Sequence, residues 1–201
     1  QRHGKEYYTA QLCPAHVDII KQAEGSQSLL QLLNSWLERM PFLKEAGGIQ
    51  FWESYQTIYK TGLADAEKNN TTAFDEIFNT EIQTTEPAHR SLSFSACRSA
   101  LFIMLYRGYP LLQLPFQLLN ALLEIDIQLS SWRYRHMNMV QRMIGLRIGT
   151  GGSSGKDYLK GAADKHYIFK EIAQLNSFLI ERRKLPALST EMENRLGFVH
   201  S

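Results

Sequence analysis

Cysteine is scarce in this chain. Cys13 and Cys97 are the only two in 201 residues, and no CxxC pair occurs. A disulfide-stapled fold and a cysteine zinc site are therefore excluded, and the usage fits a reducing, cytoplasmic setting. Charge of one sign is missing too. Lysine and arginine number 22 against 20 acidic residues, and they are scattered rather than clustered. Nothing in that pattern forms the electrostatic footprint of a nucleic-acid or membrane-surface binder, so neither is expected as a partner. No stretch approaches the ~18 apolar residues of a membrane span, and the opening QRHGKEYYTAQLC has no apolar signal core. The chain opens on Gln1 rather than methionine and reads as an internal segment of a longer protein. Period-two alternation and internal repeats are also lacking, which leaves an all-α class.

What is present is apolar content of 44%, enough over this length to bury a core as one domain or a large part of one. Helical periodicity runs through most of it. A short helix is expected around Val17 to Ile20, after the break at Cys13-Pro14. A stronger one follows, capped by Ser26 and carrying Leu29, Leu30, Leu32, Leu33, Trp36 and Leu37, until Pro41 stops it. Ile49 to about Lys68 carries an aromatic stripe including Trp52, Tyr55 and Tyr59, which reads as core. Between Asn69 and Arg90 only Phe74, Ile77 and Phe78 look able to hold a short helix.

Ser93 to Arg107 is helical and is interrupted at Gly108 to Pro110. Pro115 then fits the first turn of a helix that continues without a breaker to about Arg147. Glu124 and Asp126 lie two residues apart and diverge on that helix, so they read as charge balance for nearby arginines rather than as paired catalytic acids. Asp157 to Lys165 reads as a short helix and Tyr167 to Arg182 as a longer one. The tail from Leu188 has mixed character and is expected to pack on the body or on another subunit.

The richest stretch is Ser131 to Leu159, SWRYRHMNMVQRMIGLRIGTGGSSGKDYL. On a 3.6-residue period His136 shares an apolar face with Trp132, Met139, Val140 and Met143, and the arginines fall largely elsewhere. The imidazole is thus expected in an aromatic, thioether-lined interior. It is either a hydrogen-bonded core residue or a neutral metal ligand, haem iron being the simplest, and periodicity does not choose between them. The following Gly149-Thr150-Gly151-Gly152-Ser153-Ser154-Gly155 is either an interhelical linker or a loop whose free N–H and hydroxyl groups converge on a ligand. It is not a P-loop, since no strand precedes it and no Gly-Lys-Ser/Thr follows at the required spacing.

WRYRHMNMVQRMIG followed by GTGGSSGKDYL strongly resembles the C-terminal half of the tryptophan 2,3-dioxygenase family. The likeness extends through Leu92 to Asp126, including PFQLL at Pro115 to Leu119, and to SWLERMP at Ser35 to Pro41. The resemblance implies a helical bundle around one long haem-ligating helix. It also implies that residues 1–201 are the C-terminal part of a single helical haem-dioxygenase domain. The activity it implies is cleavage of the indole C2–C3 bond of L-tryptophan by O₂ to give N-formylkynurenine.

His136 then matches the proximal axial ligand of haem b, with Trp132 and Met143 lining the porphyrin. Thr150 matches the threonine that contacts the substrate's ammonium group, Gly149 and Gly151 are hinge positions, and Ser153 and Ser154 are candidates for a haem propionate. The family's distal histidine and its carboxylate-gripping arginine come from an N-terminal helical region outside this chain, and Arg2, His3 and His16 sit in no matching motif. The implied partners are that N-terminal segment, of the same enzyme or as a separate chain, and copies of the chain in a homotetramer. Two other readings stay open: a haem oxygenase of another indole or a phenol, and a non-catalytic haem-binding or structural helical domain.

Overall fold

Every regular element is helical among the residues that the computed structural model describes, which are 10–40, 49–63, 71–78, 91–144 and 167–197. Pro14 opens α1 (Pro14–Glu24), where its missing N–H costs nothing. α2 spans Leu29–Glu38 and ends short of Pro41. Ser26 does not cap it; its hydroxyl donates back to the Gln22 carbonyl at 3.0 Å. α3 (Ile49–Gly62) and α4 (Thr71–Phe78) follow, and Phe74, Ile77 and Phe78 do bury the short helix as their spacing predicts. α5 (Phe94–Leu105) starts on Ser93, whose hydroxyl accepts the Ala96 N–H.

α6 runs from Pro110 to Ile144, 35 residues, or about 50 Å at ~1.5 Å each. It begins five residues before the expected start at Pro115, which lies inside it. Pro110 is the proline at the helix start. The N–H of Leu111, which has no partner within the first turn, donates to the Leu196 carbonyl at 3.2 Å. Leu112 is fully buried, so the early turn is held by packing as well.

The segment after Tyr167 departs most from expectation. One helix to Arg182 is replaced by α7 (Lys170–Gln174), a 3₁₀ turn at Leu175–Phe178, an extended step, and a second 3₁₀ turn at Arg182–Lys184. Tyrosines on α3 account for the break. The Tyr55 hydroxyl donates to the Phe178 carbonyl and the Tyr59 hydroxyl to the Ser177 carbonyl. Ile172, Leu175 and Phe178 are buried, whereas Ile168 stays exposed. The tail folds as α8 (Thr190–Arg195), capped by Ser189, and sends Met192 and Leu196 into the core.

The chain divides into two compact units, 1–29 with 127–167, and 30–126 with 168–201. The second holds the apolar core. Its centre is an aromatic cluster in which Tyr59 stacks on Phe74 at 4.1 Å, and Trp52, Tyr55, Phe78 and Phe178 close around them. Trp52 and Tyr55 are therefore core residues, as the stripe predicts. The first unit is thinner: α1 buries nothing, and among its described residues only Met137 is buried.

Candidate functional site

The C-terminal half of α6 carries no proline and no glycine between Ile127 and Ile144, so its side chains keep a regular helical register. At ~100° per residue, Trp132, His136, Met139 and Met143 fall within about 60° of arc, four apolar or aromatic positions over three turns. Trp132 lies one turn before His136 and meets it face on, ring centroids 5.5 Å apart and planes 13° off parallel. The stacking fixes the imidazole plane without occupying either nitrogen. Neither ring nitrogen is hydrogen-bonded to another described residue.

This face is open rather than interior. Trp132 is 61% exposed, Met139 51% and Met143 75%, and His136 is half-buried. The expected aromatic, thioether-lined interior is thus corrected, and core packing does not account for Met143. The reason lies on the other side of the helix, about 120° round, where Met137 supplies the buried contact. Among the described residues, no group of three or more His, Cys, Asp or Glu could cage a metal. An imidazole that hydrogen-bonds no described residue, on a broad apolar surface, fits another donor set, a single nitrogen ligand for the iron of a flat apolar group such as a porphyrin.

Gly149, Thr150, Gly151, Ser153 and Ser154 lie outside the described residues, as do Arg2 and His3. His16 is exposed on α1. Where the described chain resumes at Tyr167, it is anchored at once. Asp126 is buried and accepts the N–H groups of Ile168 at 3.0 Å and Phe169 at 2.6 Å. Glu171, also buried, accepts those of Ser91 and Leu92 at 2.9 and 2.7 Å. Two carboxylates thus tie three chain segments together through backbone donors, each bond being charge-assisted.

The charge-balancing role expected of Asp126 is overturned by this arrangement, and Glu124 is separate from it and exposed. The signal was available. Asp126 follows buried Leu119 and Leu122 by seven and four residues, so an acid on that face must find donors.

The sequence model of a family described as tryptophan 2,3-dioxygenase matches residues 2–179. The tryptophan 2,3-dioxygenase of Alteromonas mediterranea is 38% identical over 203 residues, covering 90% of this chain and 56% of that protein. The enzyme of the same name from Dictyostelium discoideum is 37% identical, covering 90% and 51%. Tryptophan 2,3-dioxygenase B of Danio rerio is 35% identical, covering 93% and 51%. The chain thus spans about half the length of the curated relatives it matches.

Proposed function

The chain belongs to the tryptophan 2,3-dioxygenase family, and from that premise we propose that it supplies the proximal half of a haem site for oxidative cleavage of L-tryptophan. The observation that carries this is His136, an imidazole whose nitrogens hydrogen-bond no described residue, on an exposed apolar face of α6. His136 would hold the iron of haem b, with Trp132 keeping its ring plane and Met143 lining the apolar surface offered to the porphyrin. When bound, ferrous haem supplies the O₂ chemistry that places both oxygen atoms across the indole C2–C3 bond, giving N-formylkynurenine.

Around that chemistry, this chain's own residues orient and enclose. Thr150 accepts a hydrogen bond from the substrate's ammonium group, Gly149 and Gly151 let the loop close, and Ser153 and Ser154 donate to a propionate. The distal histidine and the arginine for the substrate carboxylate come from the rest of the family fold. A polypeptide partner is supported by α6 itself, where Leu111, Leu114, Leu118 and Ile125 form an exposed apolar stripe. The 201 residues act as the C-terminal part of one helical domain, in a cytoplasmic homotetramer. Among the described residues no helix is long and apolar enough to cross a membrane.

Haem titration of the purified chain tests the assignment. A Soret band is expected with the native sequence and its loss with His136→Ala. An unchanged spectrum in that variant would remove His136 from the iron.

A further inference from the structure

Within the larger unit, a cleft of about 220 Å³ opens between the turn that joins α5 to α6 and the segment that leads into α8. Its walls are well built. The buried Tyr106 donates its hydroxyl to the Pro186 carbonyl at 2.6 Å, and Tyr109 donates to Glu193 Oε1 at 2.9 Å. Leu105, Leu185 and Leu188 add apolar surface. The one cation among the described lining residues is Arg182, whose guanidinium approaches Gly108 closely: a Cβ built on that glycine would meet Arg182 Nη2 at 2.8 Å.

Among the described residues, Arg182 lacks the carboxylate partner that its neighbours have. Arg183 and Lys184 both bind Glu181, at 2.6 and 2.7 Å. Arg182 forms no ion pair with a described residue, not even with Glu193 across the same cleft. A guanidinium presents a planar fork of donors that matches a carboxylate in two parallel hydrogen bonds, and apolar walls suit a hydrocarbon body. We propose that this cleft binds a small carboxylate with an apolar body, the carboxylate on Arg182 and the body against Leu105, Leu185 and Leu188. The proposal stands apart from the haem assignment and does not depend on it.

The absence of a side chain at residue 108 offers a sharp test. An aspartate there projects a covalent carboxylate toward Arg182, and the clashing atom is the far end of a flexible side chain, which can shift. Titration of the whole chain with 3-phenylpropionate, followed by ligand-observed NMR, should saturate with a dissociation constant on the order of 1 mM, as an ~11-atom ligand of ordinary efficiency would. Arg182→Ala should weaken binding about tenfold or more, the loss expected for a charge-assisted contact. Gly108→Asp should abolish it while leaving the melting temperature at or above the native value.

L-phenylalanine, run in parallel, reports on Glu193. Tighter binding than 3-phenylpropionate identifies an amino acid as the form that fits best, and equal binding identifies the carboxylate alone. Non-saturable binding, or equal affinity in the native chain, Arg182→Ala and a folded Gly108→Asp, would overturn the proposal.

Discussion

Asp126 and His136 stand ten residues apart on the same helix and could hardly be treated more differently. The carboxylate is buried and accepts two backbone N–H groups. The imidazole stacks on one ring and its nitrogens hydrogen-bond no described residue. A polar group committed on every side has a structural task, because its removal strands its partners. A polar group held in orientation but left uncommitted is available to something else. On α6 that difference separates the anchor of the fold from the candidate ligand, and it is sharper than any property of the two residue types.

The contrast breaks most directly at Asp126. Substitution by alanine leaves the N–H groups of Ile168 and Phe169 without their acceptor, and each stranded buried donor costs about 1–3 kcal/mol. A loss of about 3–4 kcal/mol in unfolding free energy is expected, read as a fall in the urea midpoint at unchanged slope. Asp126→Asn keeps one carbonyl acceptor and should lose roughly half as much. If Asp126→Ala unfolded at the native urea concentration, the anchoring role would be gone.

Tyr55 sharpens the comparison at an intermediate scale. Its hydroxyl donates to the Phe178 carbonyl where the chain leaves its helical path, and the ring is fully buried. Tyr55→Phe keeps the ring and strands the carbonyl, for a loss of about 1–2 kcal/mol. Burial, reinforced by Tyr59 and Tyr106, pushes the Tyr55 phenol above its ordinary value. The folded state therefore holds this proton more tightly than the unfolded state. The resulting stability is fully present below the ordinary phenol value of ~10 and is lost as pH rises beyond it. Chemical denaturation from pH 8 to 11 should show a steeper alkaline decline in the native chain than in Tyr55→Phe.

Helix existence and the apolar faces were legible in the sequence because both follow from local periodicity. Phe74, Ile77 and Phe78 announced a short buried helix, and Trp52 with Tyr55 announced core. Helix ends were less legible, since they are set by distant partners. The Leu196 carbonyl takes the Leu111 N–H and lets α6 begin at Pro110, and the Tyr55 hydroxyl helps end the helical run at Phe178. His136 was legible as a residue that needs a partner. That its face would be open was not, because periodicity reports which residues share a face and says nothing of what covers it.

The smallest effect on folding belongs to His136 and completes the contrast. With no hydrogen bond to a described residue to strand and one stacking contact to an exposed tryptophan, His136→Ala should change the unfolding free energy of the haem-free chain by no more than ~0.5 kcal/mol. Added haem should then open a gap between the two proteins. A ligand that binds only the folded form stabilises it by about 2.7 kcal/mol at a hundred times its dissociation constant, and the alanine variant should gain little of that. Paired melts with and without haem measure both terms. A large loss in the haem-free variant would mean that the imidazole is as structural as Asp126, and the distinction drawn along α6 would fail at its second member.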